Sequence, residues 1–141
     1  DTVYGARYRG LDEQTRPDTL RADIARRIDP THVALTRPTG EMRLSAGSTA
    51  MLRAARGVYR DAAHALDLSG DVTLYRSDGT VIITDSAAID LRRSAAAGSA
   101  PVHATGPFGT LSAQGGFTLL DKGGDIQFAG PARLVLDGAT K

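Results

Sequence analysis

Cysteine and tryptophan are absent from the 141 residues, and only 4 Tyr and 3 Phe supply aromatic rings. Without Cys there is no disulfide scaffold, no thiolate zinc site and no Cys nucleophile. The redox compartment stays open, because a Cys-free chain folds equally well in reducing and oxidising surroundings. An excess of one charge is missing too: 17 Lys plus Arg stand against 16 Asp plus Glu, a formal net charge of +1. That balance argues against a nucleic-acid partner bound by phosphate neutralisation. No run approaches the ~20 apolar residues that cross a bilayer as a helix. The opening Asp1-Thr2-Val3-Tyr4 has neither the basic region nor the apolar stretch of a signal peptide. An opening without Met is expected of a processed or trimmed chain, with any anchor lying upstream.

What is present is 41% hydrophobic residues, 16 Gly and 6 Pro. The chain is too apolar and too weakly charged to be intrinsically disordered, and its length suits one domain over residues 1–141. Turn signals recur throughout: Gly10, Asp29-Pro30, Pro38-Thr39-Gly40, Gly47-Ser48, Ser69-Gly70-Asp71, Asp78-Gly79, Gly106-Pro107, Gly115-Gly116, Lys122-Gly123-Gly124 and Asp137-Gly138. Strands at this spacing predict an all-β sandwich, barrel or stacked-hairpin fold.

The clearest hairpin is DVTLYRSDGTVIITD, Asp71 to Asp85. Asp78-Gly79 suits a two-residue type I′ loop, whose two central positions both need φ > 0. That loop sets Arg76 opposite Val81, Tyr75 opposite Ile82 and Leu74 opposite Ile83. Opposed residues share a face, so Leu66, Leu68, Val72 and Leu74 join Val81, Ile83, Ala87, Ile89 and Leu91 on one apolar side. Leu111, Ala113, Phe117 and Leu119 alternate with polar residues in the same way, as do Ile126 with Phe128 and Leu134 with Leu136. Upstream, Tyr4, Ala6 and Tyr8 alternate, as do Val33 with Leu35, and Met42, Leu44 and Ala46. Thr19 to Ile28 fits helical and strand spacing alike. Thr49 to Ala65 is Ala- and Arg-rich, and propensity alone favours a helix there. Arg92 to Ala100 reads as a mobile loop.

Enzyme chemistry finds little support. His32, His64 and His103 stand far apart, with no His-x-His and no Glu nearby, so a metal site of the cupin kind is not indicated. No G-x-S-x-G elbow occurs, no carboxylate pair has catalytic spacing, and Gly123-Gly124 is too short to cradle a phosphate. Neither a cofactor nor catalysis is expected. The long apolar face is either an ordinary core or a groove that solvates acyl chains at about 0.8 kcal/mol per buried CH₂.

The order of motifs bears on that choice. Ala6 to Asp23, with Tyr8, Gly10, Asp12, Pro17, Leu20, Ala22 and Asp23, resembles the opening of the periplasmic domain of the LptC family of lipopolysaccharide export proteins. Residues 57–91, with Tyr59, Leu66, Leu68, Gly70, Val72, Thr84, Ile89 and Asp90, resemble that family's repeated unit. Pro101 to Leu119 resembles its Pro-Val and Gly-Pro-x-Gly-x-Leu-x-Ala-x-Gly pattern. The resemblance implies an open β-jellyroll of stacked antiparallel strands of the OstA-like kind, and strand rather than helix over Thr49 to Ala65. It also implies a non-enzymatic carrier, passing lipopolysaccharide from the inner-membrane ABC transporter to the bridge protein LptA. An N-terminal membrane helix usual in the family is absent from these residues, so a periplasmic location with an upstream inner-membrane anchor is expected.

On this reading the lipid-lining residues are Leu68, Val72, Leu74, Val81, Ile83, Ile89, Leu111, Phe117, Leu119, Ile126 and Phe128. Arg76, beside Val81, is a candidate for head-group phosphate. The resemblance implies that the N-terminal edge, with Tyr8, Arg9 and Gly10, meets the ABC transporter subunits. The C-terminal edge, with Arg133, Leu134 and Leu136, would meet LptA. A soluble LptA-like bridge, a homodimer, or a structural module assembling edge to edge are the alternatives.

Overall fold

The computed structural model describes residues 1–11, 17–44, 47–120 and 125–137. The fold is all-β, with fourteen antiparallel strands and no helix among the described residues. They are β1 (Thr2–Leu11), β2 (Pro17–Asp29), β3 (His32–Thr36), β4 (Thr39–Arg43), β5 (Thr49–Arg53), β6 (Arg56–Arg60) and β7 (Ala65–Arg76). Then come β8 (Val81–Asp90), β9 (Ala95–Gly98), β10 (Val102–Gly106), β11 (Gly109–Ala113), β12 (Phe117–Leu120), β13 (Asp125–Phe128) and β14 (Ala132–Leu136).

The pairing is that of a meander folded along its midline. Each rung crosses from one layer to the other: β1, β2, β7 and β8 do so unbroken, the remainder as the successive pairs β3–β4, β5–β6, β9–β10, β11–β12 and β13–β14. In the first layer the order runs β1-β2-β4-β5-β7-β8-β10-β11-β14. In the second it runs β1-β2-β3-β6-β7-β8-β9-β12-β13.

The crease falls at one level on every rung and is tied across rungs by backbone hydrogen bonds. Arg37 N–H donates to Ala55 O at 2.9 Å, Ala55 N–H to Gly70 O at 2.7 Å, and Gly115 N–H to Ala129 O at 2.8 Å. Left-handed residues mark it at Gly5, Arg37, Gly70, Asp71, Gly116 and Gly130. In β7 the bend is a bulge between Ser69 and Val72. In β8 it makes Asp85 and Ser86 successive exposed residues, so the inward set shifts from Ile82 and Thr84 to Ala87 and Ile89.

Between the layers lies the core. One inward ladder runs Leu20, Gly40, Leu52, Leu74, Ile82 and Ala104 across the first layer. Its counterpart in the second runs Val33, Tyr59, Leu66, Ile89, Ala96 and Leu119. In the middle of the fold these residues are fully enclosed, Leu66 with 0% of its surface exposed. Leu119 and Ile126 of the second layer meet Leu74 and Ile82 of the first. The expected accessible trough along the whole length is therefore corrected: Leu, Ile, Met and Phe side chains from both layers fill the middle, leaving it closed.

The Asp71–Asp85 hairpin forms, but with a three-residue turn. Gly79 N–H donates to Arg76 O at 2.9 Å and Arg76 N–H to Thr80 O at 2.8 Å, the pattern of a type I turn followed by a left-handed residue. Of the turn residues Ser77, Asp78 and Gly79, only Gly79 (φ 95°) is left-handed. Asp78 stays right-handed, accepting from Thr80 N–H at 3.0 Å and from Arg76 Nη2 at 2.6 Å. The register moves by one: Tyr75 pairs with Val81 and Leu74 with Ile82. Ile82 is 3% exposed, whereas Ile83 points outward at 47%. The inner-face assignments of Val81 and Ile83 are thus corrected, as is the Tyr75–Ile82 pair.

The turn carboxylate also carries a pH dependence. The Arg76 guanidinium, and then Thr80, lower the Asp78 carboxyl from an ordinary 3.8 to about 2. Its contribution is whole above the unfolded value and is lost as pH falls from about 4 toward 2. The melting temperature of Asp78→Asn should lie below that of the parent at pH 6, and the gap should shrink toward pH 2. A gap that stays constant in a pH series of thermal melts would deny the turn this role.

Other expectations are settled similarly. Thr19–Ile28 lies in β2, and Thr49–Ala65 holds β5 and β6, packing having overridden helix propensity. The supposed loop Arg92–Ala100 contains β9, whose small residues suit a place beneath Phe117: a Cβ on Gly98 would stand 3.3 Å from that ring. Ala46 and the Lys122-Gly123-Gly124 turn lie outside the described residues.

Candidate functional site

The two layers part at the β1 end of the fold. There Ala6, Leu20 and Ala22 of the first layer face Ala25, Val33 and Leu35 of the second, with Tyr8 and Tyr59 among them, around a cleft of about 450 Å³. Ala6, Ala22 and Ala25 present small side chains to this space. A volume of this size is that of an ordinary small-ligand site.

Aromatic and charged groups border it. The Tyr8 and Tyr59 rings lie 5.4 Å apart at 42°, within the range of a favourable tilted pair. Burial, and then a hydrogen bond with Tyr8, pushes the Tyr59 phenol well above its ordinary value, so it stays neutral at physiological pH. Arg7, Arg21, Arg27, Asp61 and His64 complete the lining, with Arg27 bound to Asp61 at 3.1 Å. The walls are apolar and the border polar. The other histidines are engaged elsewhere: His32 Nδ1 is 2.9 Å from Asp29 Oδ1, and His103 Nδ1 is 3.0 Å from Ser112 Oγ.

None of the eleven lipid-lining residues expected from patterning borders this cleft. Leu68, Val72, Leu74, Ile89, Phe117 and Leu119 are buried in the closed middle. Leu111, Ile126 and Phe128 are half-buried at the opposite end, and Val81 and Ile83 lie on the outer face. Arg76 lies beside Thr80 and Asp78 instead of Val81, its guanidinium on Asp78. Strand alternation made Ala6 with Tyr8, and Leu20 with Ala22, legible among the cleft residues, but Tyr4, read on the same face, is 76% exposed beyond the left-handed Gly5 and does not line the cleft.

Both ends of the meander are free. Among the described residues β1, β13 and β14 each have a single strand neighbour. Tyr8 and Arg9 lie on β1, with Gly10 in its backbone ladder opposite Asp18. On β14, Leu134 and Leu136 continue the inner ladder from Leu111 and Gly109, and Arg133 is on the other face. Leu134 and Leu136 are 52% and 69% exposed.

No helix among the described residues is long and apolar enough to cross a membrane. The family model for lipopolysaccharide-assembly, LptC-related proteins matches residues 5–129. No curated protein matches the chain.

Proposed function

The chain belongs to the lipopolysaccharide-assembly, LptC-related family, and on that premise we propose that it holds lipopolysaccharide by its acyl chains within the apolar cleft at the β1 end. The observation that carries this is the alanine-lined space beside Tyr8 and Tyr59. It takes a length of acyl chain and is too small to enclose a whole glycolipid, so the head group stays in water. Each methylene moved out of water contributes about 0.8 kcal/mol, and no covalent step is needed.

The family's role implies a direction. In this reading the β1 edge faces the inner-membrane ABC transporter and the β13–β14 edge faces LptA, each by adding a strand to an unpaired ladder. The protein would work in the periplasm, held to the inner membrane by a segment upstream of Asp1. The closed middle requires the layers to separate if lipid travels between the two ends, with the energy supplied by the transporter.

A photo-crosslinker placed at Tyr59 is expected to capture lipopolysaccharide, and one at Ile83 is not. Ala25→Phe, which fills the cleft, should reduce capture at least about tenfold while the melting temperature stays within a few degrees. Equal capture at Tyr59 and Ile83, or undiminished capture by folded Ala25→Phe, would overturn the proposal.

A further inference from the structure

We propose that Tyr8 and Tyr59 form a latch that holds the two layers together across the cleft and parts to admit an alkyl chain, an inference that rests on the cleft reading above. Tyr8 stands on the first-layer arm of β1, opposite Leu20. Tyr59 belongs to the second layer, between Val33 on β3 and Leu66 on β7. Their rings nevertheless lie 5.4 Å apart, and their phenols share a hydrogen bond. The contact therefore bridges the layers, and a chain advancing between them has to pass it. The ion pair of Arg27 and Asp61 has no such reach, because both residues sit on the second-layer side.

The strand that carries Tyr8 has room to move. β1 ends the meander with one strand neighbour. It bends at Gly5, φ 62°, where the β1–β2 pairs pass from Tyr4–Ile24 to Ala6–Ala22. Nothing lies within 4 Å of a Cβ built on Gly5, whereas at Gly70 and Gly116 it would collide with Ala55 Cβ and with Gly98 O. The bend of β1 thus stands in open space, and the bends of the middle do not. A hydrogen bond between neutral groups and a tilted ring pair are both weak ties, which break without unfolding the domain. Once the layers part, both phenols reach water, so the open state leaves neither without a partner.

The test follows dansylaminoundecanoate, whose emission rises as it leaves water, by stopped flow with the folded protein and below its micelle concentration. A site open for part of the time binds with an entry rate and an affinity reduced by that fraction. Tyr8→Phe keeps both rings but removes the hydrogen bond, leaving the Tyr59 phenol unpartnered in the closed state. Its entry rate should rise about two- to tenfold, with the exit rate unchanged, because the latch is already parted in the complex. Tyr59→Phe should act in the same direction. The double variant should not exceed the faster single one by more than about twofold, since the two residues share one hydrogen bond. An unchanged entry rate in both single variants, gains that multiply in the double variant, or a faster exit, as for phenols that bind the chain itself, would overturn the latch alone. No saturable binding by the parent or any variant would overturn the cleft reading and the latch with it.

Discussion

Ile82→Asp is expected to unfold the protein, and Ile83→Asp is expected to leave it folded. The two residues are adjacent in β8, yet Ile82 is 3% exposed and Ile83 47%. A carboxylate at position 82 would sit between Leu74 on one neighbouring strand and Ala104 on the other, facing the closed core. Losing the aliphatic contacts costs about 2–5 kcal/mol, and desolvating an unpaired charge adds several more. That exceeds a large part of the ~5–15 kcal/mol available to an ordinary domain. At position 83 the new carboxylate meets water beside His103, and the cost should stay below about 1 kcal/mol. Urea denaturation of the two variants separates these outcomes. A stable Ile82→Asp with an unfolded Ile83→Asp would mean that the hairpin has the two-residue turn instead.

Gly116→Ala is expected to cost more than about 3 kcal/mol. Gly116 has φ 93° at the crease between β11 and β12. A Cβ there would lie 1.9 Å from Gly98 O and 2.7 Å from Gly98 C, both backbone atoms of a paired strand. Left-handed strain and steric exclusion therefore act together, and neither neighbour is a side chain that can swing aside. Gly79→Ala supplies the control. Its φ is 95°, but the nearest atom to the added carbon is Pro107 Cδ at 4.0 Å, so only the backbone term remains, about 1–3 kcal/mol. Thermal melts giving the two variants the same loss would remove the close approach at Gly98 as a cause.

How much of this was legible is clearest in the β7–β8 hairpin. Alternation placed Leu66, Leu68, Val72 and Leu74 inward, where they are buried. On the return strand it also placed Ala87, Ile89 and Leu91 correctly, but through two compensating errors. The Asp-Gly pair suggested a two-residue loop, and the third residue enters because Asp78 is held right-handed by Arg76 and Thr80. That moves the inward set to Ile82 and Thr84. The bend at Asp85–Ser86 then moves it back. Strict alternation contains no bend, so between the two slips it placed Val81 and Ile83 inward and Ile82 and Thr84 outward, the reverse of what is found. β9 was missed for another reason: its small side chains look like a loop until the Phe117 ring over Gly98 is known. The cleft was the least legible part. Alternation reports which side chains point inward, and whether they meet depends on their sizes across two layers.

The shared crease has a mechanical consequence. Because main-chain hydrogen bonds tie the bends of neighbouring rungs from β3–β4 to β7 and again from β11–β12 to β13–β14, the layers there turn about a shared hinge axis. Prying apart one rung loads the next, so separation should spread as a wedge. The β1 end, where a cleft already separates the layers, is where that wedge would start. Under the proposed lipid-carrying role, an entering hydrocarbon tail would replace aliphatic contact with aliphatic contact as it advances, so the interior that keeps the molecule shut would be chemically interchangeable with that cargo.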